Sequence, residues 1–204
     1  MISFATVILA AGASSRMGRP KMLLPWRDTT VVGHLIEQWR QAGAAQVGVV
    51  RSVDDTALDA ELNRVGFAEE DRIVNPEPAR GMFSSIQCAA RWNGWKKTLT
   101  HWAIALGDQP HLPVATLRLV RELAAKHPNS ICQPSRNRRP RHPVFLPRRF
   151  FQALADAMQA TFKEFLEMHS ADRMLLEVND PGLDLDMDEP ADYERALRSS
   201  VGRA

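Results

Sequence analysis

Along most of the 204-residue chain, apolar runs alternate with segments of helical period. FATVILA (4–10) and HWAIAL (101–106) are nearly continuous apolar runs, the pattern of strands covered on both faces. QVGVV (46–50), RIVN (72–75) and HPVFL (142–146) read as shorter strands. Between them lie amphipathic helices. One covers 30–43 and stops at Gly43; one covers 54–66, with an Asp cap and a stop at Gly66. A third, 83–92, is entered from Gly81, and a fourth, 113–127, has Pro113 at its start. After SICQPS (130–135) the regularity weakens. Helical sequence then runs from about 148 to 168, Leu183–Asp188 reads as extended, and 190–200 closes as a helix.

Strands alternating with helices of this length predict βαβ units. The expected fold is α/β: one domain over 1–204, three-layered, a mostly parallel sheet with helices on both faces. Ligands of such sheets bind beyond the C-terminal ends of the strands. That rule directs attention to the residues after Leu9, after Val74, after Leu106 and around Asp186.

Composition narrows the function. A formal net charge of +2 is too small a bias to argue for nucleic acid or a membrane surface. No window approaches the roughly 18 apolar residues of a membrane span, and residues 1–10 lack the basic start of a signal peptide. Cys88 and Cys132 have no metal or redox spacing and read as reduced thiols of a cytoplasmic protein. The histidines at 34, 101, 111, 127 and 169 show no metal spacing and read as structural. There is no internal repeat or low-complexity tract.

The first candidate chemistry is LAAGASSRMGRPKMLLPW (9–26). Gly12 and Gly18 permit positive φ and close backbone approach, so successive N–H groups can share one concavity. Ser14 and Ser15 add hydroxyls; Arg16 and Lys21 add charge. Together they suit a polyphosphate, although a polar surface loop is the plain alternative. Five residues separate the glycines and Arg19 follows the second, so this is not a Walker A loop; nor does Gly12-Ala13-Ser14 begin a dinucleotide fingerprint.

The second is a set of carboxylates. Asp108 follows the fourth strand in ALGDQPHL (105–112). Asp184, Asp186 and Asp188 stand at i, i+2, i+4 in LDLDMDEP (183–190), where an extended chain would turn all three to one face. Magnesium takes one or two protein carboxylates and completes its shell with phosphate oxygens, so Asp108 with the later aspartates could clamp a triphosphate. A solvated acidic turn and a strand-end Asp are the alternatives. Ser84 and Ser85 would place small donors at a helix start, or simply cap it. In SRNRRPRHPVFL (135–146), Arg136, Arg138, Arg139 and Arg141 form the most basic stretch. It is either a solvated loop or a site for an acceptor phosphate.

The stretch 9–26 resembles the LAAGxSxRMGxxKxLLPW signature of the MobA-like nucleotidyltransferases, most closely their molybdenum cofactor cytidylyltransferase branch. The resemblance implies a Rossmann-like nucleotidyltransferase fold. It also implies a first loop, Leu9, Ala10, Ala11, Gly12, Ser14, Arg16, Met17, Gly18 and Lys21, that wraps a nucleoside triphosphate. Ala11 leans the chain toward CTP. GDQP (107–110) and DxDxP (186–190) match family motifs that supply metal ligands, which points to Asp108, Asp186 and Asp188 and to Mg²⁺; Asp184 lies outside the match. Gly81, Ser84 and Ser85, with Asn75 before them, match the region that touches the base.

Two departures fall on the acceptor side. Relatives carry GHPV where this chain has Arg141-His142-Pro143-Val144, and residues 160–174 read as helical where relatives have a glycine-rich GDxGAR-type turn. Arg139, Arg141 and His142 are the candidate acceptor contacts. The implied reaction moves CMP from CTP onto a phosphorylated acceptor such as molybdopterin, releasing pyrophosphate. Arg16, Lys21 and Asp108 carry the catalysis. A molybdoenzyme or its chaperone is the protein partner the resemblance implies. A sugar or isoprenoid phosphate acceptor, or a non-catalytic nucleotide-binding regulator, is the alternative; the missing GxGxxG argues against a Rossmann oxidoreductase.

Overall fold

A computed structural model describes residues 2–201. Among the described residues the main sheet has eight strands, seven of them in one continuous order: β1 (Phe4–Leu9), β2 (Gln46–Ser52), β3 (Arg72–Asn75), β4 (His101–Leu106), β5 (Ile131–Arg136), β6 (Val144–Pro147) and β7 (Arg173–Glu177). Their order is β7-β5-β6-β4-β1-β2-β3. All neighbours run parallel except β6, which is antiparallel to both β4 and β5. A two-residue strand at Arg139–Pro140 folds back on β5. The expected mostly parallel sheet is therefore present, with one antiparallel strand inside it.

Alternation along β1 sorts the core into two layers. Phe4 and Ile8 point to one face, and Ala5 and Val7 to the other. The first face is covered by α1 (Val31–Gln41), α2 (Thr56–Arg64), α4 (Val114–Lys126) and α7 (Pro190–Val201); the second by α3 (Met82–Arg91), α5 (Arg148–Ala153) and α6 (Phe162–Met168). α1 shows why its sequence folds so: Val31, Val32, Leu35, Ile36 and Trp39 make one buried stripe, and the Thr30 side chain accepts from Gly33 N. Burial of each such side chain contributes about 1.5–3 kcal/mol.

The C-terminal third departs from the pattern read in the sequence. The helix expected over 148–168 is two helices with a break at 157–161. Thr161 caps α6 by accepting from Glu164 N, and Glu164 accepts from Ala160 N, so a capping box restarts the helix. The segment 160–174, expected to be helical, ends in the edge strand β7, parallel to β5. Leu183–Asp188 is not extended throughout, because Pro181–Asp184 forms a 3-10 turn. Among the described residues, no helix is long and apolar enough to cross a membrane, and Cys88 and Cys132 are both unpaired thiols.

Candidate active site

Beyond Leu9 the chain leaves the sheet and turns sharply. The left-handed residues are Ser14 (φ 50°) and Gly18 (φ 70°); Gly12, expected to take that conformation, does not. A Cβ on Gly12 would meet nothing within 4 Å, so its contribution is the open space it leaves. Ser14 organises the loop: its carbonyl accepts from Met17 N (3.0 Å) and its hydroxyl from Lys21 N (3.1 Å). Met17 is buried in the core beneath the loop and anchors it.

The loop forms one wall of a cleft of about 580 Å³. Residues 9–14, Lys21 and Asp108 line it, together with Asp55, Gly81, Met82 and Ser85. α3 begins at Gly81 (φ 89°) with no side-chain cap, so neither serine serves as its N-cap. Instead Asn75, wholly buried, donates from Nδ2 to the hydroxyls of Ser84 and Ser85, both at 2.9 Å. Ser85 lines the cleft, whereas Ser84 donates to Gly81 O (2.8 Å) and fixes the turn. The sequence alone marks Asp55 only as a candidate helix cap. It does accept from Leu58 N (3.0 Å), but it also faces this cavity.

The floor of the cleft is Gly107-Asp108. A Cβ at Gly107 would come within 2.5 Å of Leu9 O, so only glycine lets the β4 exit lie against the β1 exit. That contact brings the early cations to the carboxylates. Lys21 Nζ stands 2.8 Å from Asp188 Oδ1 and 3.8 Å from Asp108 Oδ2; Arg16, largely exposed, reaches Asp188 Oδ2 at 2.9 Å. Across the turn, Gln109 Nε2 donates to Asp186 Oδ1 (2.9 Å), and Met187 N donates to Asp108 O (3.3 Å). Residues 21, 108, 186 and 188 are thus gathered at one place.

Electrostatics distinguish the carboxylates. Burial, and then the negative charge of Asp186, push the Asp108 carboxyl up to about 6, against the pull of Lys21. Asp188 is held below the ordinary carboxylate range, chiefly by the hydrogen bond from Lys21. Asp108 Oδ1 is buried and has no hydrogen-bond partner. A buried anionic oxygen with no donor, beside a second carboxylate, fits a hard divalent cation. Among the described residues no three His, Cys, Asp or Glu side chains converge on one metal position, so such an ion would depend on ligand oxygens as well.

The acceptor side is differently organised. Asn137 and Arg138, both at positive φ, form the turn of a tight hairpin, and Glu177 accepts from their backbone N–H groups. Arg141 binds Asp184 Oδ1 through Nε (2.7 Å) and NH2 (2.6 Å), and Arg136 binds the other oxygen. The three aspartates therefore do not share a face: the 3-10 turn sends Asp184 to the arginines, away from Lys21. Arg139 is exposed on the return strand of the hairpin, outside the Arg136–Arg141–Asp184 cluster. The His142 ring lies 3.4 Å from Ile104 O, and burial lowers its pKa while the Asp186 charge opposes that shift.

Comparisons with known proteins show the family. The family described as "MobA-like NTP transferase domain" matches residues 6–174. The molybdenum cofactor cytidylyltransferase of Escherichia coli K12 is 26% identical over 191 residues, 92% of each chain. The nicotine blue oxidoreductase of Paenarthrobacter nicotinovorans is 36% identical over 112 residues, 54% of this chain and 52% of that one. A Mycobacterium tuberculosis H37Rv protein crystallised in complex with manganese superposes with a TM-score of 0.68. It is 28% identical and covers 97% of this chain and 99% of its own.

Proposed function

The chain belongs to the MobA-like NTP transferase family, and from that premise we propose that it transfers CMP from CTP to a phosphorylated acceptor such as molybdopterin. In the reaction an acceptor phosphate oxygen attacks the α-phosphorus in line. A new P–O bond forms, the bond to the β-phosphate oxygen breaks, and pyrophosphate leaves. The nucleophile is already anionic at neutral pH, so no general base is needed; the work is positioning and charge neutralisation.

One observation carries the reading: Lys21, Asp108 and Asp188 meet at the end of a cleft walled by the glycine–serine loop. Lys21 and Arg16 would leave Asp188 for the triphosphate and stabilise charge on the departing pyrophosphate. Asp108 and Asp186, with Asp188 once released, would hold Mg²⁺. When bound, the ion supplies positive charge to the phosphate oxygens. Residues 9–14 would follow the phosphates with backbone N–H groups, and Gly81 and Ser85 would face the base. Ala11 and the 26%-identical cytidylyltransferase both favour CTP.

A sugar or isoprenoid phosphate acceptor is the second reading, because the α6–β7 segment stands where relatives have a glycine-rich turn and the acceptor side departs there from the molybdopterin pattern. The test is a thermal-shift panel of CTP, GTP, ATP and UTP with Mg²⁺, followed by pyrophosphate release with each acceptor. CTP is expected to stabilise most, and molybdopterin to release pyrophosphate. A larger shift with GTP would overturn the cytidylyl assignment. Absence of pyrophosphate with every acceptor would overturn transfer in favour of a regulator, or of redox chemistry such as the Paenarthrobacter nicotinovorans relative's name describes.

A further inference from the structure

The turn carrying the late aspartates is tied down at every second residue from 180 to 188, by the first loop, by the hairpin arginines and by the segment that follows Asp108. Arg136 and Arg141 hold Asp184, Gln109 holds Asp186, and Lys21 and Arg16 hold Asp188. Two further ties are buried and lie outside the cleft. His111, 3% exposed, donates from Nε2 to the carbonyl of Gly182 at 2.9 Å. Thr116 Oγ1 donates to Asp180 Oδ2 at 2.7 Å, while Asp180 Oδ1 accepts from Gly182 N at 2.9 Å. The fit is close: a Cβ on Gly182 would lie 3.1 Å from Asp180 Oδ1 and 3.2 Å from the His111 ring.

These two ties differ from the others in what they hold. Those at 184, 186 and 188 engage the carboxylates themselves, and a substrate or an ion would compete for them. Those at 180 and 182 engage the turn before its reactive part, through groups no ligand in the cleft reaches. Both start from the segment that follows Asp108: His111 is three residues beyond it and Thr116 is in the first turn of α4. They therefore join the Asp108 loop to the base of the Asp186 turn directly. The join is needed because Asp108 and Asp186 repel one another, and Asp108 is buried where that repulsion is little screened.

We propose that His111 and the Thr116–Asp180 pair are positioning residues that hold Asp186 beside Asp108 for a divalent cation. The inference rests on the metal reading of Asp108 and Asp186. Groups bonded directly to metal ligands typically carry about 10–100-fold in metal affinity, and ties one step further out, as these are, are expected at the low end of that range.

The test measures Mn²⁺ binding to the CTP-loaded, acceptor-free protein by electron paramagnetic resonance, together with the Mg²⁺ concentration for half-maximal turnover. His111→Leu and Thr116→Val are each expected to weaken Mn²⁺ about tenfold and to raise the Mg²⁺ requirement equally, with turnover recovering at high Mg²⁺. His111→Gln keeps an N–H donor and is expected to stay within about threefold of the parent. Thr116→Val removes only the hydroxyl, so it decides the matter if His111→Leu does not fold. Parent-like Mn²⁺ affinity in the folded variants, or equal weakening in His111→Gln and His111→Leu, overturns the proposal. Asp108→Ala is the control: unchanged Mn²⁺ affinity there removes the metal reading itself, whereas loss there with parent-like Leu and Val variants removes only the positioning role.

Discussion

On one bank of the site, the cleft-lining residues of 9–14 and 81–85 offer backbone, hydroxyls and open space. On the other, from Arg136 to Asp188 and outside the cleft lining, long charged side chains are already bound to one another. The first bank can receive a ligand without giving anything up. The second must exchange an internal ion pair for each contact that Arg136, Arg141 or Asp188 makes. The nucleotide bank thus works by preorganised shape, and the carboxylate and acceptor bank by substitution of one counter-charge for another.

The largest expected effect tests whether the two banks meet in one reaction. Lys21→Ala and Asp108→Ala should each lower turnover by about 10²-fold or more, with unchanged far-ultraviolet circular dichroism. Normal pyrophosphate release in either variant would uncouple the banks. A smaller effect separates them. Arg141→Ala should raise the KM for the acceptor about tenfold, the loss of one charge-assisted contact, and leave the KM for CTP within about twofold. An equal rise in both constants would mean that the arginine serves only to hold Asp184.

The smallest effect concerns stability. Asp108 titrates near 6 in the folded protein, above the usual carboxylate value of 3.8. Folding therefore favours its protonated form, and the metal-free protein loses stability as pH rises from about 3.8 through 6. Asp108→Asn should raise Tm in EDTA at pH 7.5 by roughly 2–4 °C, taking about 1 kcal/mol after allowing for solvent and for Lys21. The gain should shrink as pH falls through 6 and 4 and vanish by about pH 3, where the parent carboxyl is largely neutral in both states. Equal Tm values at pH 7.5 would show that the carboxylate bank carries no such strain.

The contrast between banks also explains what could be read from the chain. Strands β1, β2 and β4 are apolar because both faces are covered, and the loops after β1 and β4 contain residue types that only tight turns and close approaches require. Gly107, with Leu9 O within 2.5 Å of its missing Cβ, is one example. The second bank depends on partners far apart in sequence, and no local pattern says which arginine a given aspartate will choose. Arg141 and Asp184 are 43 residues apart. The alternation of aspartates suggested a shared face, but Pro181 and Gly182 opened a 3-10 turn that divided them. Edge strand β7 was missed because one of its sides is open to solvent, so Arg173 and Glu177 dilute its apolar character. The break before α6 did leave a legible sign, the Thr161-x-x-Glu164 capping box, inside a stretch whose composition is otherwise helical throughout.

The ion pair between Lys21 and Asp188 spans 167 positions of the chain. During synthesis the N-terminal loop leaves the ribosome first and keeps its cations without their counter-charge until nearly the whole protein has emerged. Parallel strands joined by such distant contacts assemble slowly, so this ionic closure belongs to the end of folding. A nascent or truncated chain that stops short of Asp188 would therefore bear a naked cationic loop, open to any cellular polyanion, before it could bear a finished enzyme.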